Sequence, residues 1–101
     1  MKKTSNTDFL EELYSIIKKR DQSKKKNSYT KLLLKGGKSK IAQKVSEESI
    51  ELMADYLNGS KKRTIEEAAD LIYHFLVLLY SKKITINDIR KELNKRRNVR
   101  R

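Results

Sequence analysis

From Leu71 to Leu79 every residue except His74 is apolar or aromatic, inside a segment, Thr64 to about Lys82, that reads as one helix. At 100° per residue, Leu71, Ile72, Tyr73, Phe75, Leu76, Val77, Leu78 and Leu79 cover almost its whole circumference. A helix that is apolar all round has to be buried on all sides. A chain of 101 residues has too few other helices to surround it. The run therefore predicts a homodimer with this helix near the interface. It is far shorter than the roughly 20 apolar residues of a membrane span.

The remaining segments also carry helical periodicity. Thr7–Arg20 spaces Phe9, Leu13, Ile16 and Ile17 along one face, with Asp8, Glu11 and Glu12 at the end where the helix dipole favours acids. Asp21–Asn27 has no apolar residue and reads as a flexible linker. Ser28–Thr30 opens a short segment with Leu32, Leu33 and Leu34, which Gly36-Gly37 stops. A long helix, roughly Ser39–Leu57, follows with Ile41, Val45, Leu52 and Tyr56 as its apolar stripe, widened by Ala42, Met53 and Leu57. Asn58-Gly59 ends it, and Ser60–Arg63 reads as a brief polar turn. Thr85–Asp88 resembles a helix start, with Ile86, Ile89 and Leu93 as the apolar side. There is no proline and no convincing strand. The expected fold is all-α: one domain over 1–101, four to five helices completed by homodimerisation, with flexible ends at 1–6 and 98–101.

Two acidic clusters lie within this frame, Glu47-Glu48-Ser49-Ile50-Glu51 and Glu66-Glu67-Ala68-Ala69-Asp70. Glu48 and Glu51 share a helix face, as do Glu67 and Asp70, and like charges at that spacing cost about 0.2–0.5 kcal/mol a pair. Glu48, next to Leu52, is expected to be the least exposed acid of its helix. Asp70 is expected to be buried against Leu71, Tyr73 and Val77, where an unpaired carboxylate is costly. A divalent cation such as Mg2+, which is held by carboxylates alongside substrate phosphates, would compensate both clusters. Ordinary readings exist for each piece. Thr64-x-x-Glu67 has the form of a capping box. Glu47 and Glu51 have Lys40 and Lys44 as surface ion-pair partners, and a lone His74 is more often a core residue than a ligand.

The formal charge of +12 is concentrated in Lys18-Lys19-Arg20 with Lys24–Lys26 and in Lys95–Arg97 with Arg100-Arg101. Such blocks attract nucleic acid, anionic membranes or polyphosphates, or serve as solvated linker and tail. No cysteine is present, which excludes disulfides and thiolate metal sites. Met1–Thr7 is polar and lacks a signal-peptide pattern, so a soluble, cytoplasmic protein is expected.

Ser28-Tyr29-Thr30-x-x-Leu33, then Gly37-x-x-Lys40-Ile41-x-x-Lys44-Val45-x-Glu47-Glu48-x-x-Glu51, then Glu67-Ala68-Ala69-Asp70-Leu71-Ile72-Tyr73-His74 resemble phosphoribosyl-ATP pyrophosphohydrolases of histidine biosynthesis. These belong with the MazG-type all-α nucleotide pyrophosphohydrolases, whose signature is E-E-x-x-E followed by E-x-x-D. The similarity runs from about Phe9 to Arg97. The Ser-Tyr-Thr element and the Tyr-His pair set the family apart from its relatives. Ser46 stands where the family usually has Gly or Ala, and is itself small. The resemblance implies Mg2+-dependent hydrolysis of the α–β phosphoanhydride of phosphoribosyl-ATP, by the stand-alone form without a cyclohydrolase domain. Glu48, Glu51, Glu67 and Asp70 are the expected metal ligands and, with Glu47 either orienting or deprotonating water or serving as a further ligand, the catalytic set. Lys40 and Lys44 are expected on phosphate oxygens, and Tyr29, Tyr73 and His74 on base or ribose. Three rivals remain: a house-cleaning nucleoside triphosphate pyrophosphohydrolase, a basic nucleic-acid-binding helical protein, and an inactive dimerisation module.

Overall fold

Five helices follow one another in the computed structural model, which describes residues 9–24 and 28–100, with side chains as far as Arg97. They are α1 Phe9–Gln22, α2 Tyr29–Lys35, α3 Gly37–Asn58, α4 Lys61–Ser81 and α5 Ile86–Arg100. No strand occurs among the described residues. The expectations for Thr7, Asp8, the stretch 25–27, Arg101 and the N-terminal end 1–6 lie outside them.

Local chemistry sets most of the boundaries. Ser28 caps α2 by accepting from Lys31 N at 3.4 Å. Gly37, at φ +83°, takes the left-handed turn from which α3 departs, two residues earlier than Ser39. Thr85 and Asp88 cap α5 reciprocally, Thr85 N donating to Asp88 Oδ2 at 2.9 Å and Asp88 N to Thr85 Oγ1 at 3.1 Å. The start of α4 departs from the sequence reading. Ser60, not Thr64, is the cap, accepting from Arg63 N at 3.0 Å, so the helix begins three residues before Thr64. Thr64 instead donates back to Ser60 O at 2.9 Å from inside the first turns. Glu67 is thus an interior residue of α4, and no capping role explains it.

Ile17 of α1, Leu33 of α2, Ile41 of α3, and Leu76, Val77 and Leu79 of α4 form the buried core. Ile16, expected beside Ile17, is exposed. α3 and α4 form a helical hairpin closed by Gly59-Ser60. The apolar side chains Ile50, Met53, Tyr56, Leu57 and Ile65 along the closed end of this hairpin are exposed. Ile72 and Phe75 are also exposed, so the described residues do not bury α4 on all sides.

Two tyrosines tie α1 to the end of α4. Tyr14 donates to Ile84 O at 2.7 Å, and Tyr80 donates to Asp21 Oδ2 at 2.5 Å, the two rings meeting edge to face. The second bond extends α1 to Gln22, into the stretch expected to be linker. The Asp21 bond first, and burial second, push the Tyr80 phenol up to about 12. A phenol raised on folding stabilises fully below its unfolded value of about 10, and the contribution is lost as pH climbs through the folded value. The denaturation midpoint of the wild type should therefore fall between pH 10 and about 12 more steeply than that of Tyr80→Phe. Parallel curves would mean that this bond does not hold the helices together in solution.

Candidate active site

Where α3 and α4 pack, the two acidic motifs face each other. One carboxylate oxygen from each of Glu48, Glu67 and Asp70 lies within 4.8 Å of the other two. Glu48 is 7% exposed and Glu67 is 4% exposed. Glu67 Oε2 accepts from Arg63 Nη2 at 2.8 Å, and Glu48 Oε2 lies 3.7 Å from Lys44 Nζ. Oε1 of both residues is buried without a hydrogen-bond partner. A buried group left unpaired costs about 1–3 kcal/mol, more when charged. Burial, then the neighbouring Glu51 carboxylate, push the Glu67 carboxyl above the ordinary carboxylate range; Arg63 pulls the other way. Two buried carboxylates, each with one orphaned oxygen, meet a third carboxylate and form a hard, anionic donor set that fits Mg2+.

The other expected ligands and contacts divide around this centre. Asp70 is exposed, contrary to the expectation of burial. α4 is apolar all round only from Leu71 onward, and Asp70 lies just before that run, where it opens to solvent. The carboxylates left short of partners are Glu48 and Glu67, so they carry the case for a cation. Glu51 is exposed and stands beside Glu67 rather than within the group of three. Glu47 lies at the rim, accepting from Gln43 Nε2 at 2.8 Å and Lys44 Nζ at 3.3 Å. Those two bonds hold its carboxyl below the usual range. Lys44 bridges Glu47 and Glu48, while Lys40 is exposed one turn earlier.

A polar aromatic chain adjoins the acids. His74 Nδ1 lies 2.7 Å from Asp70 O, a carbonyl that only accepts, so Nδ1 carries the proton. Nε2 hydrogen-bonds Tyr29 OH at 2.7 Å. Tyr29 stacks on Tyr73 with centroids 6.2 Å apart, and Tyr73 OH hydrogen-bonds the buried Thr30 Oγ1. All three expected substrate-contact aromatics therefore belong to one network tying α2 to α4. His74 is both a hydrogen-bonded core histidine and a neighbour of the acidic centre.

Arg63 was missed in the sequence, where it reads as part of a turn. It pairs with Glu66 at 2.6 Å and Glu67 at 2.8 Å, and lies 3.9 Å from Asp55 on α3. Its position four residues before Glu67 was the available signal.

The family model for phosphoribosyl-ATP pyrophosphohydrolase matches residues 10–97. The chain is 45% identical over 92 residues to the phosphoribosyl-ATP pyrophosphatase of Clostridium novyi (strain NT), covering 91% of this chain and 84% of that protein. It is 44% identical over 90 residues to the phosphoribosyl-ATP pyrophosphatase of Metallosphaera sedula, covering 89% and 97% respectively. The histidine biosynthesis bifunctional protein HisIE of Thermotoga maritima is 39% identical over 94 residues. There the match covers 93% of this chain and 48% of the relative, so the chain spans about half the length of that bifunctional protein.

Proposed function

Since this chain belongs to the phosphoribosyl-ATP pyrophosphohydrolase family, we propose that it hydrolyses phosphoribosyl-ATP to phosphoribosyl-AMP and pyrophosphate in histidine biosynthesis, with Mg2+ as cofactor. The observation that carries this reading is the meeting of Glu48, Glu67 and Asp70 where α3 packs on α4, with one oxygen of Glu48 and one of Glu67 buried and unpartnered. Those three residues would hold the metal, with Glu51 alongside. Bound there, Mg2+ would supply positive charge against the phosphate oxygens and the departing pyrophosphate.

The chain's own residues supply the rest. Lys44, and Lys40 one turn earlier, offer point charges to phosphate oxygens at the rim. Glu47, held ionised by Gln43 and Lys44, accepts a hydrogen bond from the attacking water and orients it. Its depressed pKa suits orientation better than strong proton abstraction. The Tyr29–His74–Asp70 chain of hydrogen bonds fixes the wall against which base and ribose lie.

The test is pyrophosphate release with Mg2+ from phosphoribosyl-ATP, ATP, dATP and dUTP. Strong preference for the first is expected. Preference for the simple triphosphates would move the protein to a house-cleaning role on the same acidic centre. Release from none would revive the nucleic-acid reading. No helix among the described residues is long and apolar enough to cross a membrane.

The homodimer belongs to the same proposal. The exposed apolar side chains of the hairpin, and a groove of about 430 Å³ between α1, α4 and α5 that includes Ile72 and Phe75, await a cover. Sedimentation at micromolar concentration should give a dimer mass, and Leu57→Asp with Tyr56→Asp should lower it. A wild-type monomer would count against this packing.

A further inference from the structure

The basic run at the end of α1 has no role in the chemistry above. Lys19 and Arg20, with Ile16, Ser23, Ser28 and Tyr29, line a cavity of about 450 Å³. That lies within the roughly 300–1,000 Å³ of small-molecule sites. Among the described residues neither Lys19 nor Arg20 is paired with a carboxylate. Tyr29 is the shared wall between this cavity and the acidic centre. Its hydroxyl reaches His74, whose other nitrogen bonds Asp70 O, and Lys44, Glu48 and Asp70 all lie close enough to perturb the phenol, which burial raises.

A triphosphate anchored at Glu48, Glu67 and Asp70 would extend its nucleoside past Tyr29 into this cavity. Ile16 and the Tyr29 ring give a purine an apolar wall, and the two cations line the same cavity. ATP has nothing anionic at that end. Phosphoribosyl-ATP does: the ribose added to its purine ends in a phosphomonoester of about −1.5 to −2 charge at pH 7. We infer that Lys19 and Arg20 bind this terminal phosphate, and that the cavity they line selects phosphoribosyl-ATP over simple nucleoside triphosphates. A guanidinium offers such a group two parallel N–H donors, and an ammonium offers a point charge. The inference rests on the proposed activity and names the part of the protein that makes it specific.

The experiment compares wild type, the double variant Lys19→Ala with Arg20→Ala, and Lys18→Ala, an exposed neighbour outside the cavity lining. Each is assayed for pyrophosphate release from phosphoribosyl-ATP and from the same compound lacking its terminal phosphate. A hydrogen bond to a charged group is worth about tenfold to a hundredfold, so the double variant should lose about 100-fold in kcat/KM on phosphoribosyl-ATP. On the dephosphorylated compound it should match wild type, and Lys18→Ala should stay within about twofold on both, as exposed charges do. Equal losses on both substrates, no loss on either, or an equal loss in Lys18→Ala would overturn the subsite and leave the hydrolase reading standing. A wild type that releases no pyrophosphate from phosphoribosyl-ATP would overturn both.

Discussion

Glu48→Gln is expected to lower pyrophosphate release from phosphoribosyl-ATP by at least about 10³-fold, a loss of about 4 kcal/mol at 1.36 kcal/mol per decade, while Tm stays level or rises. The loss follows from neutralising one of the two buried carboxylates proposed to hold the cation, leaving only Glu67 and Asp70 of the group of three. Glu48 is 7% exposed, and Lys44 and Glu47 approach it only from the rim. The unchanged or higher Tm follows from the surroundings of the carboxylates. Oε1 of Glu48 and Oε1 of Glu67 are both buried without partners, so the charge removed is one the fold bears at a cost. A glutamine amide also brings N–H donors to a cluster that has only acceptors. Loss of activity through unfolding would mean that Glu48 is a structural pairing residue of Lys44 and would count against the metal site. Full activity with normal folding would remove Glu48 from the centre altogether. Asp70→Asn, at an exposed position, should lose turnover with no gain in Tm.

Chelation is expected to abolish turnover, and Mg2+ alone is expected to stabilise the protein without any substrate. A ligand that binds only the folded state adds about 2.7 kcal/mol at a hundred times its Kd. For a domain of this size 1 kcal/mol shifts Tm by roughly 4–8 °C, so saturating Mg2+ should raise it by roughly 10–20 °C. The gain should nearly vanish in Glu48→Gln, which separates binding at this centre from general screening of the charged surface. Arg63 is the present counter-charge of Glu67, so Arg63→Ala should lower Tm without Mg2+ and recover part of the loss when Mg2+ is added. A wild-type Tm indifferent to Mg2+ at millimolar concentrations would leave the orphaned oxygens without the partner proposed for them.

Much of this protein was legible along the chain because the relevant physics is local. The 3.6-residue period of α3 and α4, the Thr85–Asp88 cap and the glycine turn before α3 each depend on neighbours within four residues. The spacing of Glu48, Glu51, Glu67 and Asp70 on two helices was equally plain, and Glu48 is the buried acid of α3 as its place beside Leu52 required. Some local features were misread for local reasons. Ser60 and Thr64 are both competent caps four residues apart, and Ser60 does the capping. The end of α4, by contrast, lies where the sequence placed it, at about Lys82, with Lys83 left-handed at φ 61° and Ile84 N bonding Leu79 O at 2.9 Å.

Which carboxylates lack partners was a different kind of fact. Asp70 adjoins the most apolar run in the chain and is nevertheless exposed, while Glu67, three residues earlier, is 4% exposed. The linking of Tyr29 and Thr30 on α2 to Tyr73 and His74 on α4 spans more than 40 residues. The siting of Lys19 and Arg20 beside Tyr29 likewise depends on how α1 lies against α2. Residue order determines which side chains share a helix face. Burial, ion pairing and the company of a cavity depend on which faces meet, and packing between helices decides that by covering some carboxylates and leaving others to water.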